Sequence, residues 1–104
     1  MGGGMGGMNM MKQVQKLQQD MARAQEELEQ RTYEAASGGG AVTVVVSGSR
    51  QLESITLKPD AVDPDDIDML QDLILAAVNE GLRTAEETYN AEMQKFTGGL
   101  NLPF

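Results

Sequence analysis

Three basic residues in the first quarter of the chain, Lys12, Lys16 and Arg23, are spaced so that a helix would align them on one face. At about 100° per residue, with Lys12 at zero, Lys16 falls near 40° and Arg23 near 20°. Such a row of cations can contact phosphate groups. A solvated outer face explains the row equally well, because acids lie close by at Asp20, Glu26 and Glu27. Arg50, in a predicted turn between strands, is a further candidate for phosphate contact.

The remaining residue types point away from catalysis. The chain has no cysteine and no histidine, which removes thiolate nucleophiles, sulfur-ligated metals and the commonest general base. Acids cluster at residues 63–66, but a calcium loop beginning at Asp63 would need glycine and glutamate where Asp68 and Ile74 stand. Acids at a helix start are explained by the positive end of the helix dipole. We therefore expect a non-enzyme with no catalytic residue, metal or cofactor.

The negative charge is concentrated in the second half of the chain. The 104 residues carry a net charge of −8, and residues 63–96 contribute nine acids against two basic residues. Residues 8–31 hold four of each and are neutral overall. No stretch approaches the roughly 20 apolar residues of a membrane span, and the first eight residues lack the features of a signal peptide. The expectation is a cytoplasmic protein with no membrane or small-molecule partner.

A chain of this length predicts one domain, and its first long element is a helix. Residues 1–8, rich in glycine and methionine, are expected to form a flexible tail, and residues 9–104 the domain. From about Asn9 to Arg31 apolar residues recur at alternating spacings of four and three, which is typical of a helix that packs on another helix. They are Met10, Val14, Leu17, Met21, Ala24 and Leu28.

The centre of the sequence predicts a three-stranded antiparallel sheet. Residues 41–47 are mostly β-branched and substantially apolar on both faces, as expected for a central strand. Strands at about 32–37 and 51–58 flank it, joined through the triple glycine 38–40 and a turn at 47–50. Strict alternation predicts one face with Val42, Val44 and Val46, and in the third strand Glu53, Ile55 and Leu57 opposite Leu52, Ser54 and Thr56.

A second long helix is predicted from Asp63, as its N-cap, to about Phe96, where glycines 98 and 99 end it. Gly81 lies in its interior, where glycine costs about 1 kcal/mol relative to alanine. We interpret Gly81 as a place where two backbones approach closely. The last five residues, 100–104, are apolar enough to dock on the domain.

The helix lengths predict self-association. Helices of about 34 and 48 Å extend well past a sheet of three strands spaced about 4.8 Å apart. Their overhanging apolar stripes need a partner, and a second copy related by a two-fold axis is the simplest one. The residues expected to form these helix and dimer contacts are Val14, Leu17, Met21, Leu28, Val44, Val46, Gly81, Leu82 and Tyr89.

Taken in order, these segments resemble the YbaB/EbfC family of bacterial nucleoid-associated proteins. The resemblance rests on Met-Lys-Gln-Val-Gln-Lys-Leu-Gln at 11–18, on the glycine-flanked valine strand at 38–48, and on Leu-Lys-Pro at 57–59. It continues through the acidic helix start, with Leu-Gln-Asp-Leu-Ile at 70–74 and Ala-Ala-Val-Asn at 76–79, to Gly-Gly-Leu-Asn-Leu-Pro-Phe at 98–104. No single segment is diagnostic, whereas their order and spacing together are specific.

The resemblance implies an α+β fold of helix, three strands and long helix, paired into a tweezer-like homodimer. It also implies binding to double-stranded DNA in the nucleoid, with little sequence specificity, and an effect on chromosome organisation and gene expression. The family offers no short DNA-binding signature, so Lys12, Lys16, Arg23 and Arg50 are proposed from charge placement alone. The alternative is a protein-binding scaffold or chaperone-like helical adaptor with no DNA role, for which eight methionines would supply adaptable apolar surface.

Overall fold

The structure is a computed structural model that describes residues 3–97, with side chains for residues 9–96. Helix α1 spans Gly3–Gln30, strands β1, β2 and β3 span Thr32–Ser37, Val42–Ser47 and Leu52–Leu57, and helix α2 spans Ile67–Thr97. Short 3₁₀ turns occupy Gly38–Gly40 and Pro59–Ala61. The predicted α+β order of helix, three strands and long helix is confirmed.

Helix α1 begins earlier than the apolar pattern indicated. It starts at Gly3 rather than near Asn9, although its first five residues include four glycines, each costing about 1 kcal/mol relative to alanine in a helix interior. Residues 1 and 2 lie outside the described part of the chain. The flexibility predicted for residues 1–8 stays a prediction.

The sheet has the order β1-β2-β3, with both pairings antiparallel, so that β2 is the central strand as predicted. The triple glycine makes the β1–β2 connection because all three residues take positive φ, at 61°, 67° and 92°. Val42, Val44 and Val46 are fully buried, and α2 packs over β1 and β2. The hydrophobic core therefore lies between α2 and one face of the sheet.

Strand β3 departs from strict alternation through a β-bulge. Val45 pairs with Ser54 while Val46 pairs with Leu52, which leaves Glu53 as an extra residue. Because directly opposed residues share a face, Leu52 joins Ile55 and Leu57 on the side that α2 covers. The predicted grouping of Leu52 with Ser54 and Thr56 was wrong.

Helix α2 begins at Ile67, and its N-cap is Asp66 rather than Asp63. The Met69 N–H donates to the Asp66 carboxylate at 3.3 Å, whereas the Asp63 carboxylate accepts from the Asp65 N–H at 2.9 Å. A backbone hydrogen bond from Asp66 N–H to Asp63 O closes a turn, with Pro64 second in it, a position that its fixed φ favours. The acidic residues 63–66 therefore form a turn, and the last of them, Asp66, caps the helix that follows.

Gly81 is a point of contact between α2 and the sheet. A Cβ at this position would lie 3.2 Å from a Val46 methyl and 3.6 Å from the Ala35 methyl. The close approach predicted at Gly81 therefore involves side chains of β2 and β1, and not a second backbone. Leu70, Ala77 and Ala85 extend the same buried face of α2.

Candidate nucleic-acid interface

We call Lys12, Lys16 and Arg23 the basic stripe. Helix α1 is continuous from Gly3 to Gln30, so the helical spacing holds the three residues within about 40° of one another. All three are exposed. The residues on the opposite side of the helix include Leu17, Met21 and Ala24, which are half-buried. The alignment of the three cations on one face follows from this geometry.

The basic stripe is also free of carboxylate partners within the part of the chain whose side chains are described. There the ion pairs join Arg83 to Glu80 and Lys95 to Glu92, both on α2. A cation already paired with a carboxylate must break that pair before it contacts a phosphate. The cations of the stripe carry no such cost.

Arg50 lies away from the basic stripe. It takes a left-handed conformation with φ of 67° in the β2–β3 turn, where its N–H donates to Ser47 O at 2.9 Å. It lines a cavity of about 240 Å³ with Gln25, Glu29, Gly48, Ser49 and Tyr89. On α1, Gln25 and Glu29 fall at about 220° and 260° on the scale that puts Lys12 at zero. The structure therefore sets Arg50 roughly 140° round the helix from the stripe, beside a carboxylate.

The two helices run side by side past one end of the sheet. Helix α2 contacts Gly38 through Leu73 and approaches Val46 at Gly81, and its Tyr89 reaches the Gly48 turn, where the last turn of α1 also lies. The N-terminal part of α1 and the C-terminal part of α2 extend together beyond that turn, packed side by side with antiparallel chain directions. Leu17, Met21 and Ala24 of α1 and Met93 and Phe96 of α2 are half-buried there. We call this pair, residues 17–28 and 85–97, the arm.

The residues predicted to form helix and dimer contacts serve largely within one chain. Leu28, Val44 and Val46 are buried in it, and Gly81 fits over the sheet. Leu17, Met21, Leu82 and Tyr89 are half-buried, and Val14 is 52% exposed. The role of these residues in contacts with a second copy stays a prediction.

An exposed apolar surface on β3 was missed by the reasoning from sequence. Helix α2 packs on β1 and β2, and Leu52 and Ile55 of β3 remain 44% and 43% exposed on the same side of the sheet. We call these two residues the apolar shelf. A signal for it existed, because the apolar residues of β3 are spaced by three and then two, and a spacing of three in a strand indicates a bulge.

Between residues 3 and 97 no three histidine, cysteine or acidic residues come together in a way that could hold a metal ion. Over the same residues no helix is both long and apolar enough to cross a bilayer.

Comparison with known proteins identifies a family. The sequence model of the YbaB/EbfC DNA-binding family matches residues 2–100. A nucleoid-associated protein of Ruminiclostridium cellulolyticum is 57% identical over 101 residues, covering 95% of this chain and 88% of that protein. One of Acetivibrio thermocellus is 62% identical over 92 residues, covering 88% of this chain and 81% of that protein.

A solved structure shares the fold. The crystal structure of an uncharacterized protein from Helicobacter pylori matches with a TM-score of 0.69, over 83% of this chain and 90% of that one. Its sequence identity of 19% limits the comparison to the fold.

Proposed function

Because the chain belongs to the YbaB/EbfC DNA-binding family, we propose that it is a homodimer that binds double-stranded DNA through the basic stripe. The proposal includes little sequence specificity, a location in the nucleoid, and an effect on chromosome organisation and gene expression. The observation that carries it is the set of three exposed, unpaired cations aligned on one continuous helix.

The charge of the stripe sets the expected salt dependence. Three cations per chain give six per dimer, and if all six met phosphates, log K would fall with log salt at a slope of about −5. That slope corresponds to a loss of roughly a thousandfold in affinity between 50 and 200 mM salt. A slope shallower than −1 for the unaltered protein would contradict the stripe as the main contact.

A variant with Lys12, Lys16 and Arg23 all changed to glutamine tests the surface directly. We expect it to lose most of the affinity at low salt and nearly all of the salt dependence, while circular dichroism and oligomeric state stay unchanged. Its matched control changes Lys58, Arg83 and Lys95 to glutamine, which alters the net charge equally without touching the stripe. If both triple variants weakened binding alike, net charge and not the stripe would govern the affinity.

Arg50 belongs to the proposal as a secondary contact. Its position on another flank of α1, beside Glu29, means that DNA lying straight along the stripe would not reach it. Changing Arg50 to glutamine should therefore reduce affinity less than changing Lys16 to glutamine. An effect of Arg50 as large as that of Lys16 would favour DNA that wraps round the arm.

Little sequence specificity follows from the kind of contact proposed. Phosphate contacts fix the position of a protein on the duplex and carry no direct sequence information. The exposed glutamines of α1 at 13, 15, 18 and 19 could reach base edges, and we interpret them as solvated surface. Competition by unrelated duplexes of equal length should therefore be equally effective.

The apolar shelf supports the homodimer. Leu52 and Ile55 lie on the face of the sheet that α2 packs against, but α2 covers β1 and β2 and leaves these two side chains of β3 exposed. A second copy would bury them and double the number of cations on one assembly. Ile55→Glu should shift the protein toward monomer in analytical ultracentrifugation. The matched control is Thr56→Glu, which adds the same charge one residue along on the opposite face. A dimer that survives Ile55→Glu would place the interface elsewhere.

A further inference from the structure

The apolar seam of α1 is covered over only part of its length. Leu28 is 3% exposed, and Leu17, Met21 and Ala24 are half-buried in the arm. Met10 and Val14 lie within the same sector of the helix, at about 160° and 200° from Lys12, yet they are 67% and 52% exposed. The seam therefore continues past the point where its cover ends.

The uncovered part forms a groove. Met10, Met11, Val14 and Gln15 line a cavity of about 240 Å³. We call it the methionine groove. Of the described side chains that line it, three are apolar and none is charged. A charged occupant would therefore lose its hydration without gaining a counter-charge from these side chains, whereas an uncharged occupant would not meet this cost.

The cover ends where α2 ends. Gln25 of α1 and Tyr89 of α2 line the same cavity at the base of the arm, which sets the two antiparallel helices in register. Eight residues further out, about 12 Å along each helix axis, Leu17 is level with Thr97. Thr97 is the last residue of α2, and the methionine groove begins immediately beyond that level.

The chain that follows Thr97 has the length and the chemistry to fill the groove. Residues 98–104, which lie outside the described residues, read Gly-Gly-Leu-Asn-Leu-Pro-Phe and contain no charge. Two glycines allow the chain to leave the helix in a new direction. Seven extended residues span up to about 23 Å, whereas the groove ends about 10 Å beyond the level of Leu17.

We propose that the C-terminal segment of residues 98–104 folds along α1 of its own chain and covers the methionine groove with Leu100, Leu102 and Phe104. The flexible thioethers of Met10 and Met11 adapt to such side chains and make favourable contacts with an aromatic ring. A tether of two glycines gives the segment an effective concentration in the millimolar range. Because of this tether, the groove is filled by the segment of its own chain in preference to the segment of another copy.

Cysteine pairs test the contact, since the chain has no cysteine of its own. The test pair is Gln15→Cys with Asn101→Cys, which places one thiol in the groove and one in the segment without removing an apolar side chain. The matched control is Gln13→Cys with Asn101→Cys, because Gln13 is exposed and lies about 160° round the helix from Gln15. Disulfide formation under mild oxidation is followed by mass spectrometry on non-reduced protein.

We expect the Gln15 pair to close within single chains at least about tenfold faster than the Gln13 pair, because docking raises the local concentration of one thiol at the other. Equal rates for the two pairs would overturn the proposal. A mixture of the Gln15→Cys protein and the Asn101→Cys protein provides a second test. Efficient disulfide formation between these two chains would also overturn the proposal, because the segment of a second copy would then fill the groove.

A fluorescence measurement covers the case in which the thiols are badly oriented. The chain has no tryptophan, so Phe104→Trp supplies a single reporter. Its emission should be shifted to the blue relative to an exposed indole, and Met10→Gln with Met11→Gln should abolish the shift. Emission typical of an exposed indole in the parent would contradict docking. Neither measurement involves DNA, so their failure is distinct from a failure of the proposed function.

Discussion

Gly48 is the residue at which the arm is fastened to the sheet, and replacing it with alanine should be severely destabilising. A Cβ there would lie 1.7 Å from the Leu28 carbonyl oxygen and 2.7 Å from its carbonyl carbon. Both obstacles are backbone atoms, so no side-chain rotation relieves the clash. The last turn of α1 would have to move away from the β2–β3 turn by more than 1.5 Å to restore ordinary contact, a requirement set by atoms that cannot be compressed.

The cost can be estimated from what that movement breaks. Leu28 is 3% exposed and would lose much of its packing, and losses of buried leucine packing cost about 2–5 kcal/mol. The hydrogen bond from Gly48 N–H to Arg31 O, at 2.8 Å, would be strained as well and contributes about 1 kcal/mol. We therefore expect a loss of at least about 3 kcal/mol in the free energy of unfolding, or about 12 °C in melting temperature for a domain of this size.

Urea and thermal unfolding followed by circular dichroism would measure this loss, with both proteins at the same concentration because the proposed dimerisation would contribute to apparent stability. Gly39→Ala is the control. Nothing lies within 4 Å of a Cβ at Gly39, and its φ of 67° imposes only the strain of a left-handed residue, about 1–2 kcal/mol. If Gly48→Ala cost no more than Gly39→Ala, the contact between α1 and the turn would not hold the arm in place.

Three further substitutions test separate parts of the fold by the same unfolding measurements. Asp66→Ala removes the N-cap that accepts from Met69 N–H and should lower the free energy of unfolding by about 1 kcal/mol. An unchanged free energy of unfolding would show that Asp66 is not the N-cap. Gly81→Ala would gain about 1 kcal/mol at an open helix position. Its Cβ would instead meet a Val46 methyl at 3.2 Å, and overpacking makes a net loss of about 1 kcal/mol the expected result. Glu80→Gln breaks an exposed ion pair with Arg83 and should change stability by less than about 0.5 kcal/mol.

The regular elements of this fold could be predicted because local pattern and tertiary packing agree in them. The alternation of Val42, Val44 and Val46 is the pattern of a strand with one face against a helix, and all three are fully buried. The glycines at 38–40 were predicted to turn the chain, and each takes a conformation that other residues avoid. In these places a single physical requirement selects the residue type.

The mistakes arose where one sequence pattern satisfies two structures. Aspartate followed by proline suits both a helix start and a turn, and only the hydrogen bonds separate Asp63 from Asp66. The bulge at Glu53 puts Leu52 on the face of Ile55 and Leu57, whereas strict alternation along β3 puts it on the opposite face. Gly81 signalled a close approach, but its neighbour is set by the placement of α2 over the sheet.

The alignment of the basic stripe was predictable from helical spacing, whereas its distance from the acids at the start of α2 depends on tertiary structure. Helix α2 starts at the far end of the sheet, about 45 Å along its axis from Thr97. Lys12 lies about 8 Å beyond the level of Thr97, in the direction away from the sheet. Charges in physiological salt are screened over about 8 Å. The acids at the start of α2 therefore exert little field at Lys12, although they dominate the net charge of −8.

The same geometry divides the stripe itself. Arg23 lies within the arm, level with the part of α2 that carries Glu92, while Lys12 projects past the end of α2. A phosphate approaching Arg23 meets the field of nearby carboxylates, and one approaching Lys12 does not. The projecting end of α1 thus lies farther from the carboxylates of α2 than Arg23 does, and it is the same length of helix that carries the methionine groove.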